Sequence, residues 1–334
     1  MSAPGAADTA AGLARWLGEL WNEPVQVANL SESSAGARRR NVLFDANVGG
    51  RVVPLAATIL PTLEIMIVDV GTEAGVRTLA EEHGVPTPHI HGVCHDHSYV
   101  GGPFFISDRI EGETIPRRVL RLAAATANGG RVVEQIGAGL AHLHHIDPAL
   151  APPLLPRLAG DRPIAWALAA LEEAVANLLQ PEPVFDYGLR WLRERRPSEP
   201  ERITIIHTDV RNGNIIVGPD GLQAILDWEG SRLGDPAEDT AWTCTRMWRF
   251  GEDHLTIGGL GTVEQLRAGY EGAGGTWDDP RFRWWRVLLT LRWGTGLAGQ
   301  TAQHLDGRFR SIVMAGSGRR VPELCYDALL LMKP

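Results

Sequence analysis

The sequence predicts an α+β chain in two lobes: a small antiparallel β-sheet with one helix, then a larger and mainly helical lobe. Three features carry that expectation. Between Val25 and Leu60, three β-rich runs are divided by a Ser/Gly stretch and a Gly49-Gly50 turn. From Arg131 onward, apolar residues recur at i, i+3 and i+4, the spacing of helices that bury one face. Between those helical segments lies a block, Ile203 to Trp242, of short apolar strands ending in polar or acidic residues.

Composition narrows the classes. With 334 residues and 44% apolar content, the chain has ample material for a core. A net charge of −8, with acids spread along the chain, argues against a nucleic-acid partner. No apolar run reaches the roughly 18 residues that cross a bilayer. The start, MSAPGAADTAAGLARW, lacks the basic-then-apolar order of a secretory signal. Cys94, Cys244 and Cys325 are unpaired by spacing and fit a reducing cytoplasm. The expectation is a cytoplasmic protein without membrane or nucleic-acid partners, its oligomeric state open. It divides into a helical appendage over 1–24, a small lobe with its hinge over 25–110 and a large lobe over 111–334.

In order, a short helix around Leu13–Leu20 stops at Asn22-Glu23-Pro24. Strands are expected at Val25–Leu30, Asn41–Asp45 and Arg51–Leu60, with a flexible connector from Ser31 to Ala37. A helix from about Thr62 to His83 sets Val76, Leu79 and Ala80 on one face and carries Glu73. Val85-Pro-Thr-Pro88 must then leave the helix, since proline restricts the residue before it. His89 to His97 holds several histidines and Cys94, but the spacing fits no zinc pattern and a surface turn between strands is expected. Gly102 to Gly112 reads as a strand running into a hinge. Helices follow at Arg131–Ile146, Ile164–Leu179 and Phe185–Arg195, and the dense aromatic segment Phe282–Trp293 reads as core.

The chemistry concentrates in Ile203–Trp242. Ile203, Ile205 and Ile206 form a strand, His207 and Asp209 open a loop, and Asn214 closes it. Ile215-Ile216-Val217 is a second strand, Pro219-Asp220-Gly221 a turn, and Ala224-Ile225-Leu226 a third strand delivering Asp227. Asp209, Asn214 and Asp227 thus sit at the ends of neighbouring strands that a hairpin can bring together. Two carboxylates and a carboxamide form a hard-oxygen site suited to Mg²⁺. His207-Thr-Asp209, Asn214 and then Asp227 have the order of a phosphotransfer loop.

With Leu226-Asp227-Trp228-Glu229 and Gly234-Asp235-Pro236 to Asp239, this stretch resembles the aminoglycoside phosphotransferase-like (APH, phosphotransferase enzyme) family of the protein kinase-like superfamily. The end of the chain, Gly318-Arg319-Arg320 through Glu323 to Asp327, looks like the subgroup related to the kinase-like domain of acyl-CoA dehydrogenase fusion proteins. The resemblance covers about residues 25–334. It implies a two-lobed protein kinase-like fold, with a small antiparallel β-sheet N-lobe plus helix and a larger, mainly helical C-lobe. It also implies ATP, with GTP as the alternative, and Mg²⁺ as cofactors. Asp209 falls on the catalytic base, Asn214 and Asp227 on metal ligands, Glu73 on the acid facing the nucleotide, and Asp108, Arg109 and Ile110 on the adenine-docking hinge. The implied acceptor is a small-molecule hydroxyl, in that subgroup of a hydroxyacyl type, bound near the helices over 161–196. His144, Asp147, His207, Asp235 and Asp239 take structural roles, and Glu229 either helps the acceptor or a metal-bound water or caps its loop.

One departure stands out. Kinases place a lysine on the third strand to grip phosphates, and the resembling subgroup places an arginine. Here Val53 to Leu60 contains no cation, and the chain's only lysine is Lys333. The dense cationic source nearby is Arg38-Arg39-Arg40. One of these, assigned to Arg39, is expected to supply the charge and to pair with Glu73 when nucleotide is away. The alternatives are a binding protein on a kinase scaffold, with weak or no catalysis, and a metal-dependent hydrolase.

Overall fold

The computed structural model describes residues 5–33, 39–60, 68–158 and 160–333. The small lobe is a sheet of five antiparallel strands: β1 (Val25–Ser33), β2 (Arg40–Val48), β3 (Arg51–Ile59), β4 (Ile90–Cys94) and β5 (Phe104–Asp108), in spatial order β1-β2-β3-β5-β4. Gly49 and Gly50 both have positive φ and make the tight turn that pairs Val48 with Arg51. Strand alternation then assigns the faces. Val42, Phe44 and Ala46 of β2, with Leu55, Ala57 and Ile59 of β3, pack beneath α1 (Ala6–Trp21) through its Leu13, Trp16 and Leu17. Burying the larger of these, such as Val42, Phe44, Leu55 and Ile59, contributes about 1.5–3 kcal/mol each. The opposite face, with Asn41, Leu43, Ala56 and Thr58, opens onto the cleft between the lobes.

On that second side lies α2 (Val70–Glu82), packed through Val70 and Ala74 on Leu60 and Phe105. It starts later than helical spacing alone predicts. Asp69 is its N-cap, accepting from the backbone N–H groups of Gly71 at 2.9 Å and Thr72 at 3.1 Å, while residues 62–67 lie outside the described residues. The His89–His97 run differs too: Ile90–Cys94 is itself strand β4, paired with β5, rather than a turn. Among the described residues no helix is long and apolar enough to cross a membrane.

The larger lobe is built on helices, starting with α3 (Pro116–Thr126) and including α8 (Val263–Gly272). Among them, α4 (Gly129–His145), α5 (Pro163–Ala176), α6 (Pro183–Glu194) and α9 (Asp279–Leu305) bury one continuous core that includes Ile136, Leu140, Phe185, Trp284 and Trp285. Into this helical body are set two small antiparallel pairs. Strand β6 (Thr204–Ile206) pairs with β9 (Arg232–Gly234), and the hairpin β7 (Ile215–Gly218) and β8 (Gly221–Ile225) turns at Pro219-Asp220. These strands hold the loop with Asp209 and Asn214 and the chain leaving β8 at Asp227. Gly112, after the hinge, approaches β7 so closely that a Cβ would lie 2.6 Å from Ile216 Cγ2, so only glycine fits where the lobes join.

Candidate active site

The hairpin brings Asp227, which lines the cleft, beside the loop that carries Asp209 and Asn214. Asn214 Nδ2 donates to Asp209 Oδ2 at 2.6 Å and to the Asp209 carbonyl at 3.1 Å. Leu226 N–H donates to the Asn214 carbonyl at 2.8 Å, which fixes the hairpin end beside the loop. His207 is buried under Trp228, ring centroids 4.5 Å apart. Its Nε2 lies 3.1 Å from the Leu226 carbonyl, and Asp209 N–H donates to its Nδ1 at 3.2 Å, an arrangement that requires the neutral ring protonated on Nε2. Burial, which outweighs the pull of Asp239 and Asp209, pushes the His207 pKa down and keeps that ring neutral.

Beneath the loop lies Asp239, fully buried in α7 (Pro236–Trp242). Its carboxylate accepts from His207 N–H at 2.7 Å, Thr208 N–H at 2.6 Å and His144 Nε2 at 3.1 Å. His144 Nδ1 in turn meets the Tyr270 hydroxyl at 2.9 Å. Burial alone would raise the Asp239 pKa, but His144, by hydrogen bond and charge, with His207, holds it below the ordinary value. Thr208 needs this grip, because it sits at φ 74, a conformation a β-branched residue seldom adopts.

Asp227 also lies in the left-handed region, at φ 64, and no hydrogen bond from the described residues reaches its carboxylate. Burial first, and then the negative charge of Glu229, push its pKa up to about 6 against the pull of Arg39; Asp209 and Glu73 add to the rise. Asn214 uses its amide nitrogen on Asp209, which leaves Oδ1 as a donor atom. Two hard oxygens in a field of surplus negative charge suit a divalent cation that keeps water and phosphate ligands. No set of three His, Cys, Asp or Glu side chains forms a complete metal cage among the described residues.

Arg39 comes from the entrance to β2 and crosses to the cleft. It makes paired contacts with Glu73 of α2, Nη1 to Oε1 at 3.1 Å and Nη2 to Oε2 at 2.9 Å, and its Nε lies 2.8 Å from Glu229 Oε2. Burial works against this guanidinium, but Glu73, through charge and hydrogen bond, and then Glu229 raise its pKa above the ordinary value. Arg40 takes the opposite face, toward Thr9 of α1 and Glu32, as strand alternation requires. Arg38 lies outside the described residues. The third strand offers Ala56 and Thr58 to the cleft, and Thr58 Oγ1 is bound to Asn41 Oδ1 at 3.1 Å.

At the hinge, Asp108 N–H is committed to the His89 carbonyl and Arg109 N–H to the Pro54 carbonyl. Their side chains point elsewhere, Asp108 to His91 Nε2 at 2.7 Å and Arg109 to Asp45 at 2.8 Å. Of the three hinge positions, Ile110 alone keeps its backbone N–H unpaired among the described residues. The cavity between hinge, Thr58, Glu73, Arg39 and Asp227 measures about 300 Å³.

Sequence reasoning missed two contacts of Asp209. Trp242 Nε1 donates to its Oδ1 at 2.7 Å, and Arg211 Nε lies 3.0 Å from Oδ1 and 3.2 Å from Oδ2. The arginine could have been found as the cation two positions beyond Asp209. The tryptophan had no local signal, because it arrives from α7.

Comparison with known proteins identifies the fold and the family. The chain is 24% identical over 258 residues to mouse (Mus musculus) acyl-CoA dehydrogenase family member 10, covering 73% of this chain and 24% of that protein. It therefore spans about a quarter of that relative's length. A Ralstonia eutropha JMP134 structure described as an aminoglycoside phosphotransferase superposes with a TM-score of 0.72 at 19% identity, covering 96% of this chain and 97% of that one. A thermostable variant of the aminoglycoside phosphotransferase APH(4)-Ia, in ternary complex with ADP and hygromycin B, gives a TM-score of 0.60 at 17% identity, covering 96% and 98%. These likenesses establish the two-lobed, kinase-like fold. Residues 34–285 match the sequence profile of the phosphotransferase enzyme (APH) family, and the chain belongs to that family.

Proposed function

We propose that this protein moves the terminal phosphoryl group of ATP, with GTP as the alternative donor, to a hydroxyl of a small molecule. The observation that carries this reading is Asp227, set beside the Asp209–Asn214 pair, lining one cleft together with the Arg39–Glu73 pair. Such chemistry asks a protein to position reactants and neutralise charge. Asp209, held by Trp242, Asn214 and Arg211, would orient the acceptor hydroxyl and take its proton. Asn214 and Asp227 would hold Mg²⁺, which when bound offsets phosphate charge. Arg39 would grip the phosphates that a third-strand cation grips in other kinases, its planar fork suiting two oxygens at once. Ile110 N–H is the free hinge donor for the base. The ADP complex of the APH(4)-Ia structure supports a nucleotide in this cleft.

The acceptor we favour is a hydroxyacyl-type molecule, on the strength of the acyl-CoA dehydrogenase relative. The unpaired Cys94, Cys244 and Cys325 suit a cytoplasmic setting. A second reading, a nucleotide-binding protein with little catalysis, is favoured by Thr58 and Ala56 standing where a cation is expected. Calorimetry with Mg²⁺·ATP and Mg²⁺·GTP tests the proposal. Binding between micromolar and millimolar, about −8 to −4 kcal/mol, is expected, together with ATP consumption that depends on a hydroxyl compound. No heat and no thermal shift with either nucleotide at millimolar concentration would end it; binding without turnover over a broad panel of alcohols would favour the second reading.

A further inference from the structure

One cation that lines the cleft has no part in moving phosphate. Arg77 sits one turn after Glu73 on α2 and is buried over Phe105 of β5, its central carbon 4.9 Å from that ring's centroid. A guanidinium carries five N–H groups. Among the described residues a single one of them meets an acceptor, the Pro88 carbonyl, at a long 3.4 Å. Its Nε is buried without a partner, and no carboxylate of the described residues pairs with the group. Burial, against the pull of Glu73, pushes its pKa down to about 10, so the side chain is still a cation at neutral pH. A buried charge left in this way is costly, and an apolar side chain would cover Phe105 without that cost.

Arg77 shares the cavity of about 300 Å³ with Ser107, Asp108 and Ile110. Under the phosphotransfer reading Arg39 and Asp227 take the phosphates, and the free Ile110 N–H holds the base at the hinge. Ser107 lies three residues before Ile110, and Phe105, which carries Arg77, two before that. This part of the wall therefore runs inward from the hinge, along the base. Its acids are already taken, Asp108 by His91 and Glu73 by Arg39. The Ser107 hydroxyl can donate or accept and so does not discriminate, whereas a guanidinium can only donate. Guanine turns two acceptors, O6 and N7, to one edge, and an arginine fork meets both at once; adenine sets an amine donor beside its N7. An adenine amine held against Arg77 would face a cation instead of an acceptor. We propose that Arg77 selects the base of the nucleotide donor, favouring guanine over adenine, an assignment that deepens the phosphotransfer reading above and rests on it. Arg77 is then a specificity residue that reads the base from α2, one turn from the acid that holds Arg39.

Calorimetry on the full chain with Mg²⁺ compares GTP, ITP, 7-deaza-GTP and ATP. GTP and ITP, which share O6 and N7, should bind about 5–150-fold tighter than ATP, the discrimination of one bidentate arginine–guanine pair. The 7-deaza nucleotide, which lacks N7, should fall between GTP and ATP. Arg77→Met fills the space without the charge and should bring GTP and ATP within about threefold of each other. Arg77→Lys keeps the charge but not the fork, and its preference should lie between those of the parent and the methionine variant. A merely structural arginine, once replaced, would weaken both nucleotides equally and leave their ratio where it was; that result overturns the assignment. So does a parent chain that binds ATP as tightly as GTP, or 7-deaza-GTP as tightly as GTP. These two comparisons need no variant, and they decide the matter if Arg77→Met fails to fold. If the parent binds none of these nucleotides at millimolar concentration, it is the phosphotransfer reading itself that fails.

Discussion

Replacing Asp227 by asparagine should make the nucleotide-free protein more stable at neutral pH. The carboxylate is half-buried, receives no hydrogen bond from the described residues, and shares its surroundings with Glu229, Asp209 and Glu73. Its pKa rises from 3.8 to about 6. At about 1.4 kcal/mol for each pH unit, ionising Asp227 in the folded chain costs roughly 3 kcal/mol. The native state binds this proton more tightly than the unfolded chain, so stability falls as pH rises from about 4 to about 6 and stays lower above that. Asparagine keeps the shape, tolerates the left-handed backbone at least as well, and carries no charge. Thermal unfolding without Mg²⁺ should therefore show Asp227→Asn melting higher at pH 7.5, by about 2 °C per kcal/mol for a chain of this size, with the gap closing below pH 4. Millimolar Mg²⁺ should raise the parent more than the variant. An Asp227→Asn protein that melts at or below the parent at pH 7.5, or a gap independent of pH, would refute the reasoning.

Three further outcomes follow from the same geometry. Asp209→Ala should lower turnover by about 10²–10⁴ and leave nucleotide affinity nearly unchanged, measured as kcat beside a calorimetric Kd. Arg39→Ala should weaken ATP binding by about 1.5–3 kcal/mol, the range for a hydrogen bond to a charged group; unchanged binding would remove Arg39 from the phosphate site. Asp239 has a lowered pKa, so its support of the loop carrying Asp209 is present above about pH 4 and is lost as pH falls further. Asp239→Ala, which leaves His144 and two backbone N–H groups without their acceptor, should cost about 3–5 kcal/mol at pH 7 in denaturant titrations and flatten that acid limb.

Much of the fold was legible because periodicity reports burial directly. The expected helices over 131–146, 164–179 and 185–195 correspond to α4, α5 and α6 with shifted ends, and the turn at Gly49-Gly50 is where glycine chemistry put it. The miss at β4 has a physical cause. The adjacent His91 and Gly92 break its apolar pattern, and the strand exists because β5 offers it backbone partners. The site divides the same way. Asp209 and Asn214 meet because few residues separate them, and the hairpin adds Asp227. The contact of Trp242 with Asp209 and that of Arg39 with Glu229 join distant parts of the chain. No local pattern announces such pairs; they arise from how the helices and lobes pack.

The position of Arg39 bears on how this fold can change over time. In the proposed function the cleft would act on phosphates through its electrostatic potential, and several backbone positions can generate a similar potential. Two neighbouring strands give their side chains access to the same space, so a cation can appear on one before it disappears from the other. Such a relay lets the sequence drift through intermediates that never lack the charge. Under the proposed function it also means that a search for one residue at one aligned column would overlook the Arg39 guanidinium, which meets Glu73 from the neighbouring strand's entrance.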